Sequence, residues 1–170
     1  MRRFASLMTG LLGLLLAAAP AAAQDGTDDP GFLRVGVGYY DINDDMDAGE
    51  FHVEYISGDK LWIFNPFVGV MGTTDAAIYG YAGIRLDVFL GRRWVFTPSF
   101  APGLYSDGDG KDLGHVIEFR SALEIAYRFD DRSRLGLSIY HLSNASLDDN
   151  NPGTEVATIH YSYPLNKLMD

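Results

Sequence analysis

IEFRSALEIAYRF, residues Ile117 to Phe129, sorts its side chains into two registers of opposite character. Ile117, Phe119, Leu123, Ile125, Tyr127 and Phe129 fall on one, and Glu118, Arg120, Glu124 and Arg128 on the other. A period of two is that of a β-strand, whose successive side chains point to opposite faces. The charges decide what kind of sheet this is. In a soluble sandwich the charged register meets water and the apolar register a tight core. In a membrane barrel the apolar register meets lipid, and charges of both signs compensate one another inside a narrow lumen. A long strand with an aromatic-rich apolar face and interleaved glutamates and arginines behind it predicts the barrel.

The same alternation recurs along the chain. Leu33, Val35, Val37 and Tyr39 oppose Arg34, Gly36 and Gly38, and Phe51, Val53 and Tyr55 oppose His52 and Glu54. Trp62, Phe64, Val68 and Val70 mark a strand over 61–71. Ile78, Gly80, Ala82, Ile84, Leu86 and Val88 oppose Tyr79, Tyr81, Arg85 and Asp87, and Trp94, Phe96, Pro98 and Phe100 oppose Val95, Thr97 and Ser99. Strands over 134–143 and from Glu155 to Leu165 complete an all-β, eight-stranded antiparallel transmembrane β-barrel, the smallest usual membrane barrel. Short turns at 58–60, 91–93 and 130–132 alternate with longer, mostly acidic links at 41–48, 104–113 and 144–154; only the link at 72–75 is short where a long one is expected. Bacterial barrels keep short turns inside and long loops outside, so the strand over 134–143 is expected to end at the outer rim.

Arg2 and Arg3, the apolar run from Leu7 to Ala19 and the small residues Ala21, Ala22 and Ala23 read as a secretory signal peptide over 1–23, leaving 24–170 as one barrel domain. Without Arg2 and Arg3, the 13 basic residues of the chain fall to 11, against 23 acidic ones, a balance that argues against nucleic acid as a partner. The absence of cysteine excludes disulfide staples and thiolate chemistry.

Within RLGLSIYHLSNASLDDNNPGTE, residues Arg134 to Glu155, the apolar register continues into chemistry. Leu135, Leu137 and Ile139 share a face with His141 and Ser143. Two positions apart on a strand, the last two have backbone origins roughly 6.6 Å apart, a span that side chains leaning together close to a hydrogen bond. Glu155 shares the register of Ala157, Ile159, Tyr161 and Tyr163, and a hairpin of the last two strands brings it beside His141. A carboxylate on a lipid-facing register needs a reason, and orienting an imidazole supplies one. Ser143, His141 and Glu155 then form a candidate nucleophile, base and orienting acid. Their apolar setting points to an acyl ester held in the membrane, with acyl contact from Leu135, Leu137, Ile139 and Tyr161.

The pattern His141-x-Ser143-Asn144 followed by Asn151-x-Gly153-x-Glu155 resembles the signature of the outer-membrane lipid A 3-O-deacylase family, PagL. The resemblance implies an eight-stranded barrel of the Gram-negative outer membrane that removes the ester-linked 3-hydroxyacyl chain at position 3 of lipid A, with its active site near the outer leaflet. It implies Ser143 as nucleophile, His141 as base, Glu155 as the acid that orients it, and Asn144, Asn151 and Gly153 as supporting or oxyanion-hole candidates. Lipid A or lipopolysaccharide is the implied substrate. Outer-membrane barrels commonly end on an aromatic residue, whereas this chain runs past Tyr163 through Pro164 and a polar tail to Asp170.

Two other readings of the same residues are a phospholipase or esterase with the same triad, and a non-enzymatic structural or adhesion barrel. A pore fits poorly, because eight strands leave little open lumen. The acidic loop Asp107 to Asp112 lacks the closing glutamate of an EF-hand and reads as a solvated loop; it and Asp44, Asp45 and Asp47 are candidates to meet divalent cations that bridge lipid headgroups. His52 and His160 fall on the lumenal register, so no metal site and no cofactor are expected. A monomer and a homodimer both fit the sequence.

Overall fold

The structure, a computed structural model, describes residues 29–168; the expected signal peptide lies outside them. Nine strand segments follow one another: β1 (Phe32–Tyr40), β2 (Ala48–Ile56), β3 (Asn65–Thr73), β4 (Ile78–Arg85), β5 (Val88–Leu90), β6 (Trp94–Ser106), β7 (Ile117–Arg128), β8 (Arg134–Ser143) and β9 (Thr154–Pro164). A short 3-10 turn, Leu165–Leu168, ends the described chain. All neighbours are antiparallel, β4 also pairs with β6, and β1 pairs with both β2 and β9, so the sheet closes on itself.

β4 and β5 are one barrel strand in two pieces. Arg85 pairs with Ser99 and Val88 with Phe96, which is a single unbroken register. The interruption falls opposite Pro98, whose ring nitrogen has no hydrogen to donate to the ladder, although Leu86 N still donates to Pro98 O at 3.0 Å. The barrel therefore has eight strands.

Two expected boundaries move: β6 runs on to Ser106, so the link expected at 104–113 lies at 107–116, and β3 starts later than expected. Residues 61–64 belong to a turn and not to β3: Leu61 and Phe64 exchange backbone hydrogen bonds, and Trp62 lies between them in the left-handed region at φ 61°. The apolar character of Trp62 and Phe64 mimics a strand start, but the chain is reversing there.

The two registers have the predicted sides. Val37, Phe51 and Leu137 are each more than half exposed, while Arg34, Glu54, Arg85 and Glu124 are buried in the lumen. An apolar outer belt around a charged interior is the arrangement that a lipid solvent favours. Inside, the Glu124 carboxylate takes both terminal nitrogens of Arg34 at 2.8 and 3.0 Å and also contacts Arg85 and His160. Arg34 reaches Glu54 at 3.1 Å, and Arg120 lies over the Tyr140 ring, 4.2 Å from its centroid. Toward the other end Arg134 joins Asp87 and Asp29, and Arg128 joins Asp29. Gly36 and Gly136 make room for this filling, since a Cβ on either would collide with the lumenal rings of His52 or His160. The expected compensation holds for Arg120, Glu124 and Arg128. Glu118 departs from it, with both carboxylate oxygens buried and no hydrogen-bond partner among the described residues.

The links at 41–47, 107–116 and 144–153 emerge at one end of the barrel, together with the short link at 74–77. The turns at 57–64, 91–93 and 129–133 close the other. β8 runs toward the long-loop end, which carries His141 and Ser143 to that rim.

Candidate active site

The outward face of β8 rises through Leu135, Leu137 and Ile139, all exposed, to His141 and Ser143, which are half-buried. In the register of β8 with β9, His141 stands directly across from Glu155. Facing residues of an antiparallel pair hold their Cβ atoms about 5 Å apart, close enough for an imidazole and a carboxylate to meet. They do so here, with His141 Nδ1 3.1 Å from Glu155 Oε1 and each side chain about one-fifth exposed. With Nδ1 donating to the carboxylate, Nε2 presents a lone pair to the surroundings.

Ser143 lies on the same face but makes no side-chain hydrogen bond among the described residues. The structure thus brings His141 and Glu155 together and leaves the serine–histidine bond unmade. Such bonds are often long before a substrate arrives and tighten when it does. Gly153 backs the other side of the imidazole. It is buried at φ 66°, and a Cβ built there would lie 2.8 Å from His141 Cε1.

Asn144 and Asn151 organise the loop between β8 and β9. Asn144 is fully buried, its Nδ2 donating to Leu113 O at 3.0 Å and to Asn150 O at 2.8 Å, while its Oδ1 accepts from Ser146 N. Asn151 Oδ1 accepts from the Asn144 main-chain N at 3.2 Å. These bonds carry the chain through Ala145 and Ser146, both in the left-handed region at φ 54° and 66°. Both amide hydrogens of Asn144 are committed to carbonyls, whereas no partner of Asn151 Nδ2 is recorded among the described residues.

Below the pair runs an apolar strip. Ile139 faces Ala157 across the β8–β9 ladder, Leu137 faces Ile159 and Leu135 faces Tyr161. Six residues separate His141 from Leu135, so Tyr161 lies roughly 20 Å down the wall from the imidazole. On the β7 side Ser121 faces His141 and Phe119 faces Ser143, with Phe100 stacked on Phe119 at 5.9 Å. Ser121 was not among the expected site residues. Its signal in the sequence is a lone hydroxyl on an otherwise apolar lipid-facing register.

Over residues 37–164, well over half of the chain, the sequence matches the family described as lipid A 3-O-deacylase (PagL). The chain belongs to this family. Among solved structures, the barrel is similar to the crystal structure of the outer membrane enzyme PagL, with a TM-score of 0.62 and 14% identity, covering 78% of this chain and 99% of that one. It is also similar to a de novo designed transmembrane β-barrel, with a TM-score of 0.58 and 12% identity over 82% of this chain and 98% of that one. At these identities the likeness speaks for the barrel, and PagL membership rests on the sequence match. No curated protein sequence matches.

Proposed function

We propose that this chain is a lipid A 3-O-deacylase of the outer membrane, a serine esterase whose triad is Ser143, His141 and Glu155. The observation that carries the reading is the 3.1 Å contact between His141 and Glu155 on a face otherwise given to lipid, with Ser143 two residues further along that face. An ion-pairing group is costly against hydrocarbon unless it has work to do. Membership of the PagL family supplies the substrate class.

In the proposed reaction His141 Nε2 takes the Ser143 hydroxyl proton as Oγ bonds to the ester carbonyl carbon. Collapse of the tetrahedral adduct breaks the bond to the sugar oxygen, which leaves as a hydroxyl carrying that proton. Water then gives a proton to Nε2 and adds to the acyl-serine, and the fatty acid departs as Oγ recovers its proton. Glu155 accepts from Nδ1 throughout and stabilises the imidazolium. Asn144 shapes the loop, and Asn151 Nδ2 is the side-chain amide left to an oxyanion. Leu135, Leu137, Ile139 and Tyr161 supply acyl contact along the wall. The proposal takes the site to face the outer leaflet, a reading supported by the habit of bacterial barrels of keeping their long loops outside.

The test is mass analysis of lipid A and phospholipid from cells expressing the chain or its Ser143→Ala variant. The wild type is expected to shorten lipid A by one 3-hydroxyacyl group and release the free acid. The variant should lose that activity by more than about a thousandfold while remaining a folded barrel. Loss of acyl chains from phospholipid alone would make the protein a phospholipase, and no change in either lipid would make it a structural barrel.

A further inference from the structure

The side of the barrel wall behind the His141–Glu155 pair holds a second construction. Asp41, the first residue after β1, is buried and sits in the left-handed region at φ 60°. Its Oδ1 accepts from Thr154 Oγ1 at 2.8 Å and from Lys111 Nζ at 2.6 Å. The next residue, Ile42, donates its main-chain N to Glu155 O at 3.0 Å. Residues 41 and 42 therefore grip 154 and 155 from β1, by one side-chain bond and one backbone bond.

Lys111 reaches this grip from the loop between β6 and β7. It is buried despite its charge, and it also bonds Asp44 Oδ2 at 2.9 Å. Burial alone would push its ammonium toward the neutral form, but the bonds to Asp41 and Asp44 outweigh that and hold it above the ordinary lysine range. Tyr105 OH donates to Lys111 O at 2.8 Å and pairs with Tyr40 OH at 2.9 Å, which fixes the loop against β1. Two residues on, Leu113 O accepts from Asn144, the neighbour of Ser143. One loop thus touches the supports of both catalytic strand ends.

We propose that Lys111 is a positioning residue for the proposed reaction: acting through Asp41 and Thr154, it sets the height of Glu155 on β9 and hence the contact of its carboxylate with His141. Without the cation, the buried Asp41 carboxylate has Thr154 as its one remaining side-chain hydrogen-bond donor among the described residues. An uncompensated buried charge is costly, and the group either takes up a proton or moves toward water; in both cases its bond to Thr154 changes. The backbone that holds Glu155 then loses its reference, and a displacement of about 1 Å at an orienting group costs on the order of a hundredfold in rate. Lys111 touches neither substrate nor the reacting atoms, so its effect belongs to kcat and not to KM.

This inference rests on the proposed triad, and its test separates the two. Lys111→Met, Lys111→Arg and Thr154→Val would be compared with the wild type in detergent micelles, with heat-modifiable migration reporting folding. Deacylation of purified lipopolysaccharide gives kcat and KM, and the proton resonance of His141 Nδ1, shifted downfield by its carboxylate partner, gives a readout independent of substrate. Lys111→Met and Thr154→Val are expected to lower kcat at least tenfold at unchanged KM and to lose the downfield proton, while Lys111→Arg restores both. Should Lys111→Met misfold, Thr154→Val alone carries the same expectation. Wild-type kcat and an intact resonance in folded Lys111→Met or Thr154→Val would overturn the proposal, as would failure of the arginine to rescue a folded barrel. An inactive wild type with the resonance behaving as described would instead overturn the substrate reading and leave the positioning role standing.

Discussion

Gly153 shows how tightly a single residue is specified at the site. Its positive φ disfavours any side chain by about 1 kcal/mol, and a methyl group would press on His141 Cε1 at 2.8 Å. Gly153→Ala is therefore expected to turn the imidazole away from Glu155 and lower kcat on the order of tenfold, with the barrel still folded. Steady-state kinetics on lipid A checks this, and a wild-type kcat would show that the ring has another support. The pattern around Gly153 was legible in the sequence because His141, Ser143 and Glu155 lie on two strands whose alternation fixes their side. Asn144 was less so. Its hydrogen bonds go to Leu113 and Asn150, and a side chain's choice of backbone carbonyl depends on loop paths that alternation does not encode.

At the scale of an element, β8 has one face in hydrocarbon and one in a packed lumen, and the two should respond differently to the same change. Leu137 is more than half exposed on the lipid side, whereas Ser138 is buried and bonds Thr158 Oγ1 at 2.8 Å. Leu137→Arg places a charge well down the wall and should cost about 2–4 kcal/mol. Ser138→Ala, which loses one neutral bond, should cost about 1 kcal/mol. Urea unfolding in lipid vesicles measures both; equal costs would contradict a lipid-facing Leu137. Strand existence and facing were readable for all eight barrel strands, because lipid demands an uninterrupted apolar register. The start of β3 was not, since Trp62 and Phe64 satisfy the pattern while the backbone at Trp62 turns left-handed. Nor does the sequence announce that Lys111 folds inward from an acidic loop that reads as solvated.

For the molecule as a whole, the lumen is held by charges that depend on one another. Glu124 serves Arg34, Arg85 and His160 at once, so Glu124→Gln leaves two buried arginines undercompensated and should destabilise the barrel by about 3–5 kcal/mol. Glu118, although buried too, has no hydrogen-bond partner among the described residues to lose, and Glu118→Gln should leave the barrel at least as stable. Unfolding midpoints of the two variants test whether the filling acts as a network, and a comparable loss in both would show that it does not. The composition of this interior was visible as alternating glutamate and arginine on the inward registers. Its long-range partners were not, because a bond such as that of Arg34 with Glu124 joins strands far apart in sequence.

Closure of the ring by β1 and β9 adds a constraint of timing. The strand bearing Glu155 pairs on one side with β8, which is its neighbour in the chain, and on the other with β1, the first strand described. Ile42, just beyond β1, holds the Glu155 carbonyl. A chain still open between its first and last strands keeps the β8–β9 register that sets Glu155 across from His141, but it lacks the β1 ladder and the Ile42 bond that hold the other edge of β9. The last seam to form is thus also the one that fixes the outer edge of the strand bearing Glu155.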